Sequence, residues 1–130
     1  MSAPSVSLAF FKLNVADMDA MLDFYGDVFG FSVTATYDVE DFLEHILALP
    51  GQEAGPNLML VSFKDGRDVS VGPGHGPIGL VTDDLETLHG KVLAAGGKQV
   101  TGTVALDGVQ LAIVLDPECH EIELLQFTAA

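Results

Sequence analysis

Residues 10–36, FFKLNVADMDAMLDFYGDVFGFSVTAT, decide the fold, because they can be laid without a gap on residues 77–103, PIGLVTDDLETLHGKVLAAGGKQVTGT. The offset is 67 residues throughout. Residues that begin or end elements fall on one another: Leu13 on Leu80, Asp17 on Asp84, and Gly30 on Gly97. Self-similarity at a fixed offset is the signature of a repeated structural unit. The chain is therefore predicted to contain two copies of one module.

Each copy reads as a strand, a helix and a second strand. Asp17 and Asp84 follow short β-type runs, and an aspartate at that point accepts hydrogen bonds from the free amides of a first helical turn. Apolar residues then recur at helical spacing, namely Met18, Met21, Leu22, Tyr25 and Phe29 in the first copy and Leu85, Leu88, Val92 and Ala95 in the second. Gly30 and Gly97 are predicted to end the two helices in the left-handed conformation that favours glycine.

The segment after each copy is predicted to form a β-hairpin. In the first half, HILALP and NLMLVSF flank the turn cluster GQEAGP. The longer stretch DVEDFLEHILALP is also compatible with a helix. We favour a strand after Phe42, because the run is short and a turn follows it. In the second half, VQLAIVLD and HEIELLQF flank the turn PEC.

The predicted layout is βαβββ repeated twice, an α+β fold in which the two modules form one domain. Module one is expected to span residues 6–64 and module two residues 77–127, with a linker over 65–76. A chain of 130 residues is long enough for one domain with a real core and too short for two ordinary domains.

The composition narrows the classes of partner. Nineteen acidic residues against five basic ones give a formal net charge of −14, which disfavours nucleic acid and anionic lipid and favours a cationic small molecule. Solubility alone also explains this charge. The apolar runs are shorter than the roughly 18 residues that span a membrane, and the N-terminus lacks the basic region of a signal peptide. The single cysteine, Cys119, fits a reducing compartment, so a cytoplasmic protein is expected.

Three stretches carry a family resemblance: LNVADMDAMLDFYGDVFGF, GPIGLVTDDLETLHGKVLAAGGK and DPECHEIELLQF. Together with the duplicated layout, they make the chain similar to the vicinal oxygen chelate superfamily, which holds glyoxalase I, bleomycin-resistance proteins and extradiol dioxygenases. The resemblance implies that each module curls into a half-barrel of mixed sheet and that two half-barrels enclose a cavity. It also implies a homodimer, because family members of this length commonly pair with modules of both chains completing each pocket.

The resemblance further implies four metal-ligand positions, and three of them are apolar here. The first-strand histidines of the family fall on Phe10 and Pro77, the last-strand glutamate of module one falls near Leu60, and only Glu123 is retained. A basic residue that holds glutathione in glyoxalase I falls on Asn14. The resemblance therefore implies the cavity rather than the metal chemistry. We expect no metal and no other cofactor, and neither dioxygenase nor fosfomycin-transferase activity.

Two alternatives for Glu123 stay open. As a structural residue it would pair with a cation, and Lys12 is a plausible partner because it shares a strand face with Phe10 and Asn14. As a functional residue, a glutamate in an apolar pocket has a raised pKa and can act as a general base. A relocated metal site of His75 with Glu121 or Glu123 is a further alternative. His120 is expected on the opposite strand face from Glu121 and Glu123.

Strand alternation predicts one mixed pocket face. Its predicted members are Phe10, Lys12, Asn14, Leu58, Leu60, Ser62, Pro77, Val81, Glu121, Glu123 and Leu125. An apolar cavity with a few polar groups is typical of a small-molecule site. The first hypothesis is a metal-independent protein of the glyoxalase/bleomycin-resistance type that binds a cationic or aromatic compound. The second is a glyoxalase-like lyase or isomerase that uses Glu123 as its base.

Overall fold

The computed structural model describes residues 4–128. The first module contains β1 (Phe10–Asn14), α1 (Met18–Phe29), β2 (Ser32–Asp38), β3 (Phe42–Ala48) and β4 (Asn57–Phe63). The second contains β5 (Ile78–Val81), α2 (Leu85–Ala94), β6 (Lys98–Gln99), β7 (Val104–Leu106), β8 (Val109–Leu115) and β9 (Glu121–Phe127). The predicted duplication of an α+β unit is confirmed, and β3 confirms the strand after Phe42. In the described residues, neither helix is long and apolar enough to cross a membrane.

Each module folds its strands into one mixed sheet. In the first sheet the order is β1-β4-β3-β2, with β1 parallel to β4 and the other neighbours antiparallel. In the second sheet the order is β5-β9-β8-β6, with β5 parallel to β9 and β7 also paired to β8. The two hairpins therefore form the centre of each sheet, and the first strand of each module lies at an edge.

The single strand expected after α2 is divided into β6 and β7. Between them, the Thr101 hydroxyl accepts a hydrogen bond from the Ile113 amide at 3.0 Å, so a side chain replaces part of the strand ladder. Side-chain oxygens of this kind compete with regular backbone pairing. Gly102 follows Thr101, and the chain resumes pairing with β8 at Val104.

Both predicted helix starts are confirmed. The Asp17 carboxylate accepts from the Ala20 amide at 3.1 Å, and Asp84 accepts from the Thr87 amide at 3.2 Å and from its hydroxyl at 2.7 Å. Gly30 ends α1 with φ of 86°, in the left-handed region, as predicted. These caps satisfy amides and carbonyls that a helix end leaves without intrahelical partners.

The prediction for Gly97 was wrong. The left-handed residue after α2 is Gly96, with φ of 95°. A Cβ atom on Gly97 would lie 2.5 Å from the Leu115 carbonyl oxygen and 2.5 Å from Cγ1 of Val92. Gly97 is therefore required because α2 and β8 approach each other closely there, and not because of its backbone torsion.

One hydrophobic core serves both modules. It lies between the helices and one face of each sheet, and its fully buried members include Met21, Leu60, Leu85, Val92, Val114, Ile122 and Leu124. Each sheet has a second face that no helix covers, and we call these the first open face and the second open face. Alternation along each strand decides which residues reach the core and which reach an open face.

Candidate ligand-binding site

The first open face is built on β1, β4 and β3. Lys12 of β1 is the register partner of Met59 on β4, and Asn14 is the partner of Val61. Val61 is in turn the register partner of Glu44 on β3. Residues that are paired on neighbouring strands point to the same side of a sheet. The first open face therefore carries Phe10, Lys12, Asn14, Glu44, Ile46, Met59 and Val61.

Lys12 and Glu44 form an ion pair at the centre of this face. The Lys12 Nζ lies 2.7 Å from Oε1 of Glu44 and 5.4 Å from the centre of the Phe10 ring. Glu44 is only 7 % exposed, whereas 45 % of the Lys12 side chain is exposed. Within the chain the partner of Lys12 is thus Glu44, and the expected pairing with Glu123 was wrong.

Leu60 and Ser62 do not reach the first open face. Leu60 is the register partner of Leu13 and is 0 % exposed, so it lies in the core. Ser62, two residues along the same strand, points to the same side of the sheet as Leu60. Leu58 also faces away from the first open face, but it lines a cavity beside Phe10, so its place as a pocket residue stands. Met59 is the residue of β4 that points to the first open face next to the position, near Leu60, where the family resemblance placed a metal ligand. The error of one residue arose because NLMLVSF is apolar at nearly every position, so alternation offers no contrast between its two faces.

The second open face carries both predicted glutamates. Glu123 of β9 is the register partner of Gly79 on β5 and of Ile113 on β8, and Val81 is the register partner of Leu125. Glu121 and Glu123 are half-buried, whereas His120 on the alternate side is buried, as predicted. Among residues 4–128, neither glutamate forms an ion pair.

A cavity of about 410 Å³ lies between the first strands of the two modules. It brings Phe10 and Pro77 together, although they are far apart in sequence. Phe11, Leu58 and Ile78 add apolar walls, and the side chains of Gln52 and Asn57 supply polar groups. The arrangement has the usual composition of a small-molecule pocket.

The donor groups of this site do not fit the family's metal. At the family's four ligand positions, the phenylalanine and proline side chains have no donor atom, the Met59 thioether is a soft and weak ligand, and only Glu123 offers a carboxylate. Within the described part of the chain, no three His, Cys, Asp or Glu side chains converge on a common point. His75 instead hydrogen bonds to the Gly76 carbonyl at 3.1 Å and lies edge-on to the Phe11 ring at 5.8 Å. Within residues 4–128, His75, Glu121 and Glu123 therefore belong to no group of three potential ligands.

A buried polar cluster that the sequence did not indicate joins the two modules. His120 Nδ1 donates to Oδ2 of Asp116 at 2.8 Å, and its Nε2 donates to the Asn14 carbonyl at 3.0 Å. The Tyr25 hydroxyl also donates to Oδ2 of Asp116, at 2.7 Å. The carboxylate of Glu118 accepts from the backbone amides of Ala16 and Asp17 at 2.7 and 2.8 Å. This cluster fixes the end of β1, and with it Asn14, against module two.

The geometry of the cluster requires a charged histidine. Both ring nitrogens of His120 face acceptors, so both carry protons. Burial lowers the pKa of His120, but the hydrogen bond and negative charge of Asp116, with the Asn14 carbonyl, outweigh burial and raise the pKa above its ordinary value. Burial, followed by the charge of Asp116, raises the pKa of Tyr25, so its hydroxyl remains a donor.

The duplicated βαβββ layout, with one mixed sheet in each module, defines an α+β class of proteins built from half-barrel modules. The sequence model of the Glyoxalase/Bleomycin resistance protein/Dioxygenase superfamily matches residues 7–124, and the chain belongs to this family.

Individual relatives agree with this assignment. The chain is 30 % identical over 119 residues to a probable lactoylglutathione lyase of Synechocystis sp., a match that covers 88 % of this chain and 90 % of the relative. A glyoxalase family protein of Bacillus cereus superposes with a TM-score of 0.85 at 14 % identity, covering 98 % of this chain and 97 % of that protein. Glyoxalase I of Zea mays superposes with a TM-score of 0.82 at 21 % identity over 95 % of this chain, which spans only 45 % of the maize protein. At these identities the structural matches establish the fold.

Proposed function

We propose that this protein binds a small molecule in the manner of the glyoxalase/bleomycin-resistance group and does so without a metal at the family's usual positions. One observation carries the proposal: the side chains at three of these positions, Phe10, Met59 and Pro77, offer no hard or borderline donor. The cavity beside Phe10 and Pro77 supports binding of a small molecule with an aromatic or otherwise apolar body. The net charge of −14 favours a ligand without negative charge.

A second candidate is a glyoxalase-like lyase or isomerase that uses Glu123 as a general base. The observation that favours it is the naming of the curated relative of Synechocystis as a probable lactoylglutathione lyase at 30 % identity. In this candidate, Glu123 takes a proton from a carbon next to a carbonyl and returns it to the neighbouring carbon. The location of Glu123 on the second open face leaves its carboxylate accessible to a substrate.

We also propose that the protein acts as a cytoplasmic homodimer. The second open face exposes several large apolar side chains, namely Val81, Val104, Leu106 and Phe127. Exposed apolar patches of this kind mark interaction surfaces. A two-fold dimer that places the first open face of one chain over the second open face of the other would cover both and would enclose a pocket.

Metal content and turnover separate the two candidates. Purified protein is dialysed, loaded with nickel, zinc or manganese, and assayed by elemental analysis and for isomerisation of the hemithioacetal of methylglyoxal and glutathione. Binding without catalysis predicts less than stoichiometric metal and no turnover. One equivalent of metal per chain would refute the metal-independent proposal. Turnover that is lost in Glu123→Gln and kept in Glu121→Gln would establish the second candidate.

A further inference from the structure

The Lys12–Glu44 ion pair is an unusual feature for an open sheet face. Glu44 is surrounded on its face by apolar neighbours, including Ile46, Met59 and Val61. Burial of a carboxylate in such surroundings is costly unless it is paired and hydrogen bonded. A leucine at position 44 would pack on this face without that cost, so packing does not explain the carboxylate.

The pair leaves hydrogen-bonding capacity unused on both partners. Oε1 of Glu44 is buried against the Lys12 ammonium at 2.7 Å, and no described residue donates a hydrogen bond to the other carboxylate oxygen, Oε2. The ammonium has three donors and Glu44 accounts for at most one of them. Because 45 % of the Lys12 side chain is exposed, its remaining donors point toward the open side of the sheet.

We propose that this pair, which adjoins the cavity at Phe10, binds a neutral ligand in which a carbonyl oxygen stands beside an N–H donor, as in a carboxamide on an aromatic body. This inference rests on the proposed function of small-molecule binding. The Lys12 ammonium donates to the carbonyl oxygen, and the ligand N–H donates to Oε2 of Glu44. The Phe10 ring beside Lys12 provides an apolar surface for the ligand body.

Charge decides against the other ligand types. A carboxylate ligand would meet Lys12 but would also stand next to the buried negative charge of Glu44. A cationic ligand would meet Glu44 but would have to compete with Lys12, which is already 2.7 Å away. A neutral amide satisfies both partners and leaves the ion pair intact, so it adds no uncompensated charge to a partly buried site.

The test uses three ligands of one shape and different charge: benzamide, benzoate and benzamidine. Each is titrated into the protein, and binding is followed by amide chemical shifts in NMR spectra. Benzamide is expected to bind at least tenfold more tightly than either charged analogue, with the largest shifts at Phe10, Lys12 and Glu44. Tighter binding of benzamidine or benzoate, equal shifts for all three, or no saturable binding would overturn the proposal.

Variants separate binding from stability. Lys12→Met and Glu44→Leu are each expected to weaken benzamide binding about tenfold, the effect of one lost hydrogen bond. Lys12→Met leaves a buried carboxylate without its cation, so the double variant Lys12→Met/Glu44→Leu, in which both positions are uncharged, serves as the folded control and should show no binding. Unchanged affinity in the double variant would refute a role for the pair.

The metal analysis of the same preparation tells the two proposals apart. Stoichiometric metal with benzamide binding that depends on Lys12 would refute the metal-independent function and leave the role of the pair standing. Absence of metal together with unchanged benzamide affinity in the Lys12 and Glu44 variants would refute the role of the pair and leave the metal-independent function standing.

Discussion

Replacement of His120 by alanine is predicted to destabilise the protein strongly. The substitution removes two hydrogen bonds, one to Asp116 and one to the Asn14 carbonyl, that join the two modules. It also leaves the Asp116 carboxylate, whose side chain is 0 % exposed, without a cation. Loss of one partner from a buried ion pair costs about 3–5 kcal/mol.

The expected loss lies near the lower end of that range. Three other donors still reach the Asp116 carboxylate: the Tyr25 hydroxyl and the amides of Glu118 and residue 120. A loss of about 3 kcal/mol is a large part of the 5–15 kcal/mol that stabilises a typical domain, and it corresponds to about 10 °C in Tm at this chain length.

The pH dependence gives a sharper form of the same prediction. The folded-state pKa of His120 lies above its unfolded value near 6.5. The stabilisation is therefore fully present below pH 6.5 and is lost as the pH rises through the folded-state pKa. Wild-type protein should lose stability over that range, and His120→Ala should lack this part of the pH dependence. The groups that face the ring are Asp116, Glu118 and the Asn14 carbonyl.

Urea denaturation at pH 5.5, 7.0 and 8.5 measures both effects. His75→Ala is the matched control, because His75 is exposed and, within residues 4–128, its ring hydrogen bonds only to the carbonyl of its neighbour Gly76, so the substitution should cost less than about 0.5 kcal/mol. A cost for His120→Ala of less than about 1 kcal/mol at pH 5.5 would refute the reasoning. Equal pH slopes in the wild type and His120→Ala would refute it as well.

Three further substitutions test the fold and the site. Cys119 has φ of 73°, so Cys119→Gly should remove left-handed strain and raise the free energy of unfolding by about 1 kcal/mol. Urea titrations measure this change, and a destabilised glycine variant would show that the thiol contributes packing instead. Gly97→Ala places a Cβ 2.5 Å from the Leu115 carbonyl and should cost about 1–3 kcal/mol, whereas a neutral effect on Tm would mean that α2 shifts freely away from β8. Leu60→Ala should lower the free energy of unfolding by about 2–5 kcal/mol and Met59→Ala by clearly less, because Leu60 is the core residue of the two. The reverse order in paired thermal melts would place β4 in the opposite register.

The sequence by itself determined the duplicated module, the helix starts and the alternation of β9. These features depend on contacts within a few residues. Asp17 and Asp84 cap the turns that follow them directly, and Gly30 ends α1 through its own torsion. The alternation of β9 was readable because charged Glu121 and Glu123 alternate with apolar Ile122 and Leu124.

Other features lay beyond local pattern. The run NLMLVSF is apolar at nearly every position, so its alternation did not predict which side chains face the core. Leu60 was therefore placed on the wrong face of the sheet. Gly97 was given the role of Gly96, because adjacent glycines look alike until the distance between α2 and β8 is known. The left-handed torsion of Cys119, with φ of 73°, is set by the turn between β8 and β9 and not by the residue type.

Only the tertiary structure decided which charged groups meet. Lys12 faces Glu44 because β1, β4 and β3 lie side by side, and the order of strands in a sheet is not written in the spacing along the chain. His120 reaches Asn14 for a similar reason, since the packing of one module against the other brings the β8–β9 turn to the end of β1. Local propensity acts over a few residues, whereas the polar groups of this site are paired by strand register and module packing.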